Sequence, residues 1–377
     1  MNLQQTLAEL VAIDSVSSRS NQTIVDYLAK RCAGLGLQVQ RLPYRDENGV
    51  EKPNLIALAG VEPGGTAPQV ELAVVGHTDT VPYATDWTDA LRLTERAGKL
   101  YGRGACDTKG FIAAALTAIE TIDLKNLHQP LALIFTADEE IGLLGAKRLA
   151  EARAIHARYA IVGEPTSLQP MRAGKGYCLA EITVTGREAH SAYPALGTSA
   201  VFGAAHLIAR IEGITVELQD EIHSAFDPAF TTLNVGLIRG GTAKNVIAGE
   251  CRFTLEWRPI PGQDPKRLLN LISRAIADEQ TRDPNFVCEV HAARADAGFE
   301  TSPDSKLVMM LTEVSGQAPG TVAFGTEAAQ LTALGAESVV LGPGDIRVAH
   351  RTGEFVPVAE LEGCVEILRA AIERFCL

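Results

Sequence analysis

The chain has 377 residues, 46% hydrophobic and 21% charged, the values of an ordinary globular protein too long for a single core. Its net charge of −12 argues against a nucleic-acid partner, because binding a phosphate backbone needs clustered Lys and Arg. Seven scattered cysteines without a CxxC pair indicate neither a disulfide framework nor a thiolate zinc site, and the absence of a basic leader or a run of about 18 apolar residues reads as a cytoplasmic protein with no membrane partner.

In chain order, residues 3–13 and 20–35 carry helical spacing of Leu, Val, Ile and Tyr, the second with Ser20 or Asn21 as its cap. Gly34 and Gly36 close that helix, strands follow at 37–41 and 54–59, and Glu62-Pro63-Gly64-Gly65 forms a loop. The run 70–75 reads as a buried strand, and Gly76 begins its exit toward His77-Thr78-Asp79. In extended backbone residues i and i+2 share a side, so an imidazole can bind a metal while a carboxylate steadies it from behind. Standing alone, the pair reads more simply as an ordinary polar strand end.

Glycines on both sides of Asp107 predict a tight turn that places one carboxylate at the start of a helix over 111–122, where an N-cap is the plain alternative. A strand at 131–135 runs into Asp138-Glu139-Glu140. Adjacent carboxylates repel unless a cation or shared proton compensates, so these acids read either as a metal site or as a solvated acidic turn. The strand 159–162 ends in Gly163-Glu164-Pro165. Three successive strand ends thus bring carboxylates or an imidazole to one rim, which is harder to dismiss than any single member.

From about Gly174 the rhythm changes to strand 177–185, helix 198–211, strands 231–239 and 246–257, helix 264–278 and strand 285–291. That β-α-β-β-α-β order predicts a ferredoxin-like antiparallel sheet with helices on one face, inserted into the first domain. Helices at 305–315, after Glu327 and over 358–374, with a strand at 338–341, return to α/β character, and His350 lies in the loop Ala349-His350-Arg351-Thr352-Gly353-Glu354. The expected division is 1–173, 174–292 and 293–377.

His77-Thr78-Asp79, Gly102-Arg103-Gly104 with Asp107, Glu139-Glu140, Gly163-Glu164-Pro165 and Ala349-His350 resemble, in this order and over nearly the whole chain, the five motif blocks of the M20 family of dinuclear zinc amidohydrolases and peptidases. The resemblance implies a zinc-hydrolase-type α/β sandwich with the inserted unit as lid and homodimerisation domain. It further implies two Zn²⁺ ions, replaceable by Co²⁺, with Asp107 bridging them, His77 and Glu164 completing one and Glu140 and His350 the other. Glu139 would be the general base and Asp79 the partner of His77, and a cis bond would stand at Asp107-Thr108.

In the lid, His190 matches a residue that reaches a partner's site to steady an oxyanion, with a surface or capping His as the alternative. Arg258 and Asn245 match substrate contacts, and Lys175 is either another or a solvated lysine. Glu327, where family members line the substrate pocket, would face a substrate ammonium. Cys106 and Thr108, flanking Asp107, depart from the commoner pattern, and Cys106 reads as a buried structural thiol more readily than as a soft ligand. The segments 163–170 and 342–344 resemble those of members that deacetylate N2-acetyl-L-ornithine in arginine biosynthesis. A desuccinylase of N-succinyl-diaminopimelate, another N-acyl-amino-acid deacylase and, from a different class, a non-catalytic metal-binding relative are the alternatives. A dinucleotide oxidoreductase is disfavoured, because no G-x-G-x-x-G follows a first strand.

Overall fold

The apolar run before His77 becomes the strand Gln69–His77, paired in parallel on one side with Leu131–Thr136 and on the other with His156–Val162. The computed structural model describes residues 2–61 and 67–377, so the expected loop Glu62-Pro63-Gly64-Gly65 lies outside the described residues. Glu337–Val340 joins in parallel beside His156–Val162, while Glu51–Ala59 and then Gln38–Arg45 extend the other side antiparallel. Leu131–Thr136 is buried along its whole length, which explains why the central strands read as continuous apolar runs without alternation. Helices Leu3–Ala12, Gln22–Gly34, Lys109–Glu120 and Val358–Cys376 contribute Leu7, Leu28, Phe111, Ile112, Leu361 and Leu368 to the same core. Because three neighbouring strands run in parallel, the residues after His77, Thr136 and Val162 leave the sheet at one edge, where open α/β sheets place their ligands.

The chain divides into two units, Met1–Ala173 with Glu300–Gly320 and Thr326–Leu377, and Gly174–Phe299 with Thr321–Gly325. The second holds a four-stranded antiparallel sheet in the order Thr232–Gly240, Glu250–Arg258, Tyr177–Thr185, Val287–Asp296, the arrangement expected of a ferredoxin-like unit. Alternate residues such as Ile182, Phe253 and Leu255 pack with Leu207, Ile211 and Ile272 from helices Ala200–Leu218 and Arg267–Arg282.

Several elements differ from expectation for identifiable reasons. Helix Ala200–Leu218 continues past residue 211 because Ile214 and Leu218 keep the apolar stripe in phase across Gly213. Residues 246–249 leave the expected strand 246–257: Ile247 and Ala248 bond the backbone of Ala189 and Ala200, so the ladder begins only at Glu250. The last strand runs to Asp296, five residues beyond the expected stop at 291, and the second unit accordingly extends to Phe299. Asn21 precedes helix Gln22–Gly34 without capping it: its amide nitrogen donates to Pro53 O and Thr78 Oγ1, a placement that leaves Oδ1 without a partner among the described residues.

Candidate metal centre

At the end of its strand His77 is buried, with Nδ1 3.0 Å from the backbone oxygen of Asp79 and Nε2 3.0 Å from Asp107 Oδ1. A nitrogen facing a carbonyl carries the hydrogen, which turns the lone pair of Nε2 toward the Asp107 carboxylate. Two acceptors at that distance require a cation or a proton between them. His350, held in the left-handed region at φ 61°, brings its Nε2 to 3.1 Å from Asp107 Oδ2 and 2.9 Å from Glu140 Oε2. Each oxygen of Asp107 therefore faces a different imidazole. Asp107 is not an N-cap: Thr108 precedes helix Lys109–Glu120, and the Asp107-Thr108 peptide is cis.

Ligand atoms of His77, Asp107 and Glu140 lie within 4.8 Å of one another, as do those of His77, Glu139 and Glu164. Glu140 Oε1 is buried without a hydrogen-bond partner among the described residues. An orphaned carboxylate oxygen, opposed acceptors and a mixed imidazole and carboxylate donor set fit divalent cations of the zinc type. Burial drives the Glu139 and Glu164 carboxyls far above their usual range, and the neighbouring acids add to the shift. Glu140 is raised by burial and by Asp107. Burial alone would raise Asp107, yet the imidazoles of His350 and His77 beside it hold its carboxyl low, and contacts with Asp107 and Glu140 lift His350 to about 10. So many acids in one buried place are stable only with protons or metal ions among them.

Three acids in sequence have three destinations. Asp138, at φ 54°, points away from the imidazoles and pairs with buried Lys52 at 2.8 Å while accepting from Tyr44 at 2.8 Å. Glu140 faces His350, and Glu139 stays beside His77. The turn is fixed by Asp79, whose carboxylate accepts from the backbone N–H of Glu139 at 3.1 Å, that of Glu140 at 3.3 Å and the hydroxyl of Ser17 at 2.7 Å. Burial alone would raise Asp79, yet His77 and Ser17 keep it below the ordinary carboxylate range. Sequence reasoning missed Ser17 and Lys52, since no local pattern announces a contact made across 62 or 86 residues. Cys106 is a buried thiol pushed up by burial, with Sγ 3.7 Å from Asp345 O.

Glu327 is 1% exposed, raised to about 7 by burial, and close enough to add to the repulsion on Glu139 and Glu164. The remaining candidates belong to the second unit. His190 is exposed, and its Nδ1 accepts from Ala192 N at 3.1 Å, which leaves Nε2 as the proton-bearing nitrogen. Arg258 stacks 3.9 Å from the Tyr177 ring centroid and donates Nε to Glu256 at 2.7 Å. Asn245 is exposed, its carbonyl accepting from Ser191 N at 3.0 Å. Lys175 is not a solvated lysine: it is 3% exposed and donates to the carbonyls of Pro228 and Phe230 at 2.8 and 2.7 Å.

Residues 73–374 match the model of peptidase family M20/M25/M40. A protein named acetylornithine deacetylase from Myxococcus xanthus is 53% identical over 99% of this chain and 97% of its own length, and one of the same name from Proteus mirabilis (strain HI4320) is 36% identical over 97% and 93%. Among solved structures, aminopeptidase PepT from Bacillus cereus ATCC 10987 superposes with a TM-score of 0.78 at 23% identity over 99% of this chain and 98% of that one. The M20 family metallo-carboxypeptidase Sso-CP2 from Sulfolobus solfataricus gives 0.77 at 19% over 100% and 99%, and these two likenesses bear on the fold. Fold, ordered motifs and these matches together show that the chain belongs to peptidase family M20/M25/M40.

Proposed function

We propose that this protein hydrolyses the amide bond of N2-acetyl-L-ornithine, releasing acetate and L-ornithine, a step of arginine biosynthesis, with two Zn²⁺ ions as its cofactors and Co²⁺ able to replace them. The observation that carries the reading is Asp107, each of whose oxygens faces a different imidazole, with the Glu139 carboxylate close beside His77. The choice of substrate rests on the relatives named acetylornithine deacetylase. Asp107 would bridge the ions, His77 and Glu164 hold one, and Glu140 and His350 the other. When bound, such ions polarise an acyl carbonyl and make a water proton easier to remove.

Glu139 accepts that proton and returns it to the departing amine, a role suited to a half-buried carboxyl whose proton affinity is already raised. Asp79 keeps the His77 ring and the Glu139–Glu140 backbone in place throughout. Glu327, buried and with Oε1 unpartnered among the described residues, suits the side-chain ammonium of ornithine. Arg258, fixed by Glu256 and Tyr177, suits the α-carboxylate. Asn245 is assigned a hydrogen bond to the substrate, whereas Lys175 is engaged by the loop at 228–230.

The protein acts as a homodimer through the inserted unit, His190 offering its Nε2 proton to the oxyanion in a partner's site. Supporting this, edge strand Thr232–Gly240 exposes Leu237 and Ile238, and helix Ala200–Leu218 exposes Phe202 and Val216. No described helix is long and apolar enough to cross a membrane, and we place the protein in the cytoplasm. Purified protein given N2-acetyl-L-ornithine, N-succinyl-L,L-diaminopimelate and N-acetyl-L-citrulline, with added Zn²⁺ and with chelator, tests the reading. Metal-dependent turnover preferring the first supports it, and preference for either of the others discards the substrate assignment.

A further inference from the structure

Glu354 lies at the end of the loop that carries His350 and has no solvent exposure. Its carboxylate Oε1 accepts from the backbone N–H of Cys106 at 2.9 Å and of Asp107 at 3.0 Å, while Oε2 accepts from Arg103 at 2.6 Å. Arg103, 2% exposed, donates its other terminal nitrogen to Pro82 O at 3.2 Å and stacks 5.3 Å from the Trp87 ring centroid. Backbone pairing adds to this: Gly102 N donates to Glu354 O at 3.1 Å, and Phe355 pairs with Tyr101 in a small antiparallel ladder. One buried ion pair thus touches the segment after His77, the turn bearing Asp107 and the loop bearing His350.

We infer that Glu354 and Arg103 are positioning residues that set the register of Asp107 against the two histidines and so determine how tightly the metal pair is held. The inference rests on the metal-centre reading above. A bridging carboxylate between two imidazoles tolerates little displacement, and the backbone N–H of Asp107 is tied to the His350 loop through Glu354. Burying a carboxylate and a guanidinium is costly unless their hydrogen bonds are met, and here the donors that meet them belong to the segments carrying the ligands. Asp79 and Ser17 do the corresponding work for the acidic turn, but neither reaches residues 350–354 by a hydrogen bond among the described residues.

The test titrates metal-depleted protein with Zn²⁺ against a chromophoric competing chelator, for wild type, Glu354→Gln and Arg103→Lys, with melting temperatures recorded in parallel. Gln keeps the shape and one acceptor but presents an amide NH₂ to Arg103; Lys keeps the charge but loses the fork that also reaches Pro82. Wild type is expected to bind two ions. Glu354→Gln is expected to bind at least one of them about 10–100-fold more weakly, with excess Zn²⁺ recovering much of the lost turnover, and Arg103→Lys several-fold more weakly. A lowered melting temperature with wild-type affinity would assign the pair to stability alone and overturn the inference. If Glu354→Gln does not fold, Arg103→Lys decides, and unchanged affinity there overturns it. Wild-type protein that binds no metal pair would instead remove the metal-centre reading and this inference with it.

Discussion

Glu139 and Glu140 are neighbours in sequence, and the division of base and ligand proposed for them lies in what each meets. Glu140 is engaged by His350, whereas Glu139 is left half-buried among like charges. Replacing Glu139 with Gln should leave two bound ions and lower kcat by about 10²–10⁴-fold, read by metal analysis beside steady-state kinetics. Loss of the ions together with activity would make Glu139 a ligand. Glu327 has a consequence that can be measured without metal. Burial raises its carboxyl from 4.5 to about 7, so between those values the native form holds a proton that the unfolded form has released. Its contribution is fully favourable below about 4.5 and is lost as the pH rises through about 7. In metal-free protein Glu327→Gln should therefore move the urea midpoint upward at pH 8 by more than at pH 5, and in the metal-loaded enzyme it should raise KM for N2-acetyl-L-ornithine. An equal shift at both pH values would contradict the burial argument. His77 and Asp107 were legible because glycines and an apolar run mark their surroundings, whereas Ser17 and Glu354 act through hydrogen bonds to partners 62 and 247 residues away that leave no local trace.

The parallel strands do the gathering, and small residues make room for it. A Cβ added to Gly163 would fall 2.1 Å from Cδ1 and 2.3 Å from Cγ of the Phe111 ring, a side chain buried in the main core. Gly163→Ala must therefore push the helix or the strand end, and with it Glu164. We expect a loss of about 1–3 kcal/mol in unfolding free energy, measured by urea denaturation, together with reduced metal content. A variant as stable and as metal-replete as wild type would show that the rim yields freely. The three strand ends were readable because buried parallel strands are short apolar runs with abrupt polar exits. The boundaries were less so: helix Ala200–Leu218 ran on across a glycine, and residues 246–249 kept a strand-like pattern while bonding to a loop, because tertiary partners outweigh local preference.

At the scale of the molecule, the proposed dimer makes a prediction that no single variant can. If His190 serves a partner's site, Glu139→Ala and His190→Ala should each be inactive alone, but a refolded equal mixture should regain about a quarter of wild-type activity, since half the dimers carry one site with both groups intact. A mixture no more active than its components would place His190 in the site of its own subunit or outside catalysis. The ferredoxin-like order was legible from the succession of strand and helix patterns, whereas the end of the last strand was not, because it depends on how far that strand stays paired with Tyr177–Thr185.

The two cores close at very different points along the chain. That of the inserted unit draws its buried residues from Cys178 to Phe286, whereas that of the enclosing unit reaches from Leu7 to Cys376 and takes the strand Glu337–Val340 into its sheet. On a ribosome the guest can therefore gain its native packing while its host still waits for its final helix. Ribosome-bound chains halted once residues 174–325 have emerged should then resist protease over the guest segment and remain cleavable in the host.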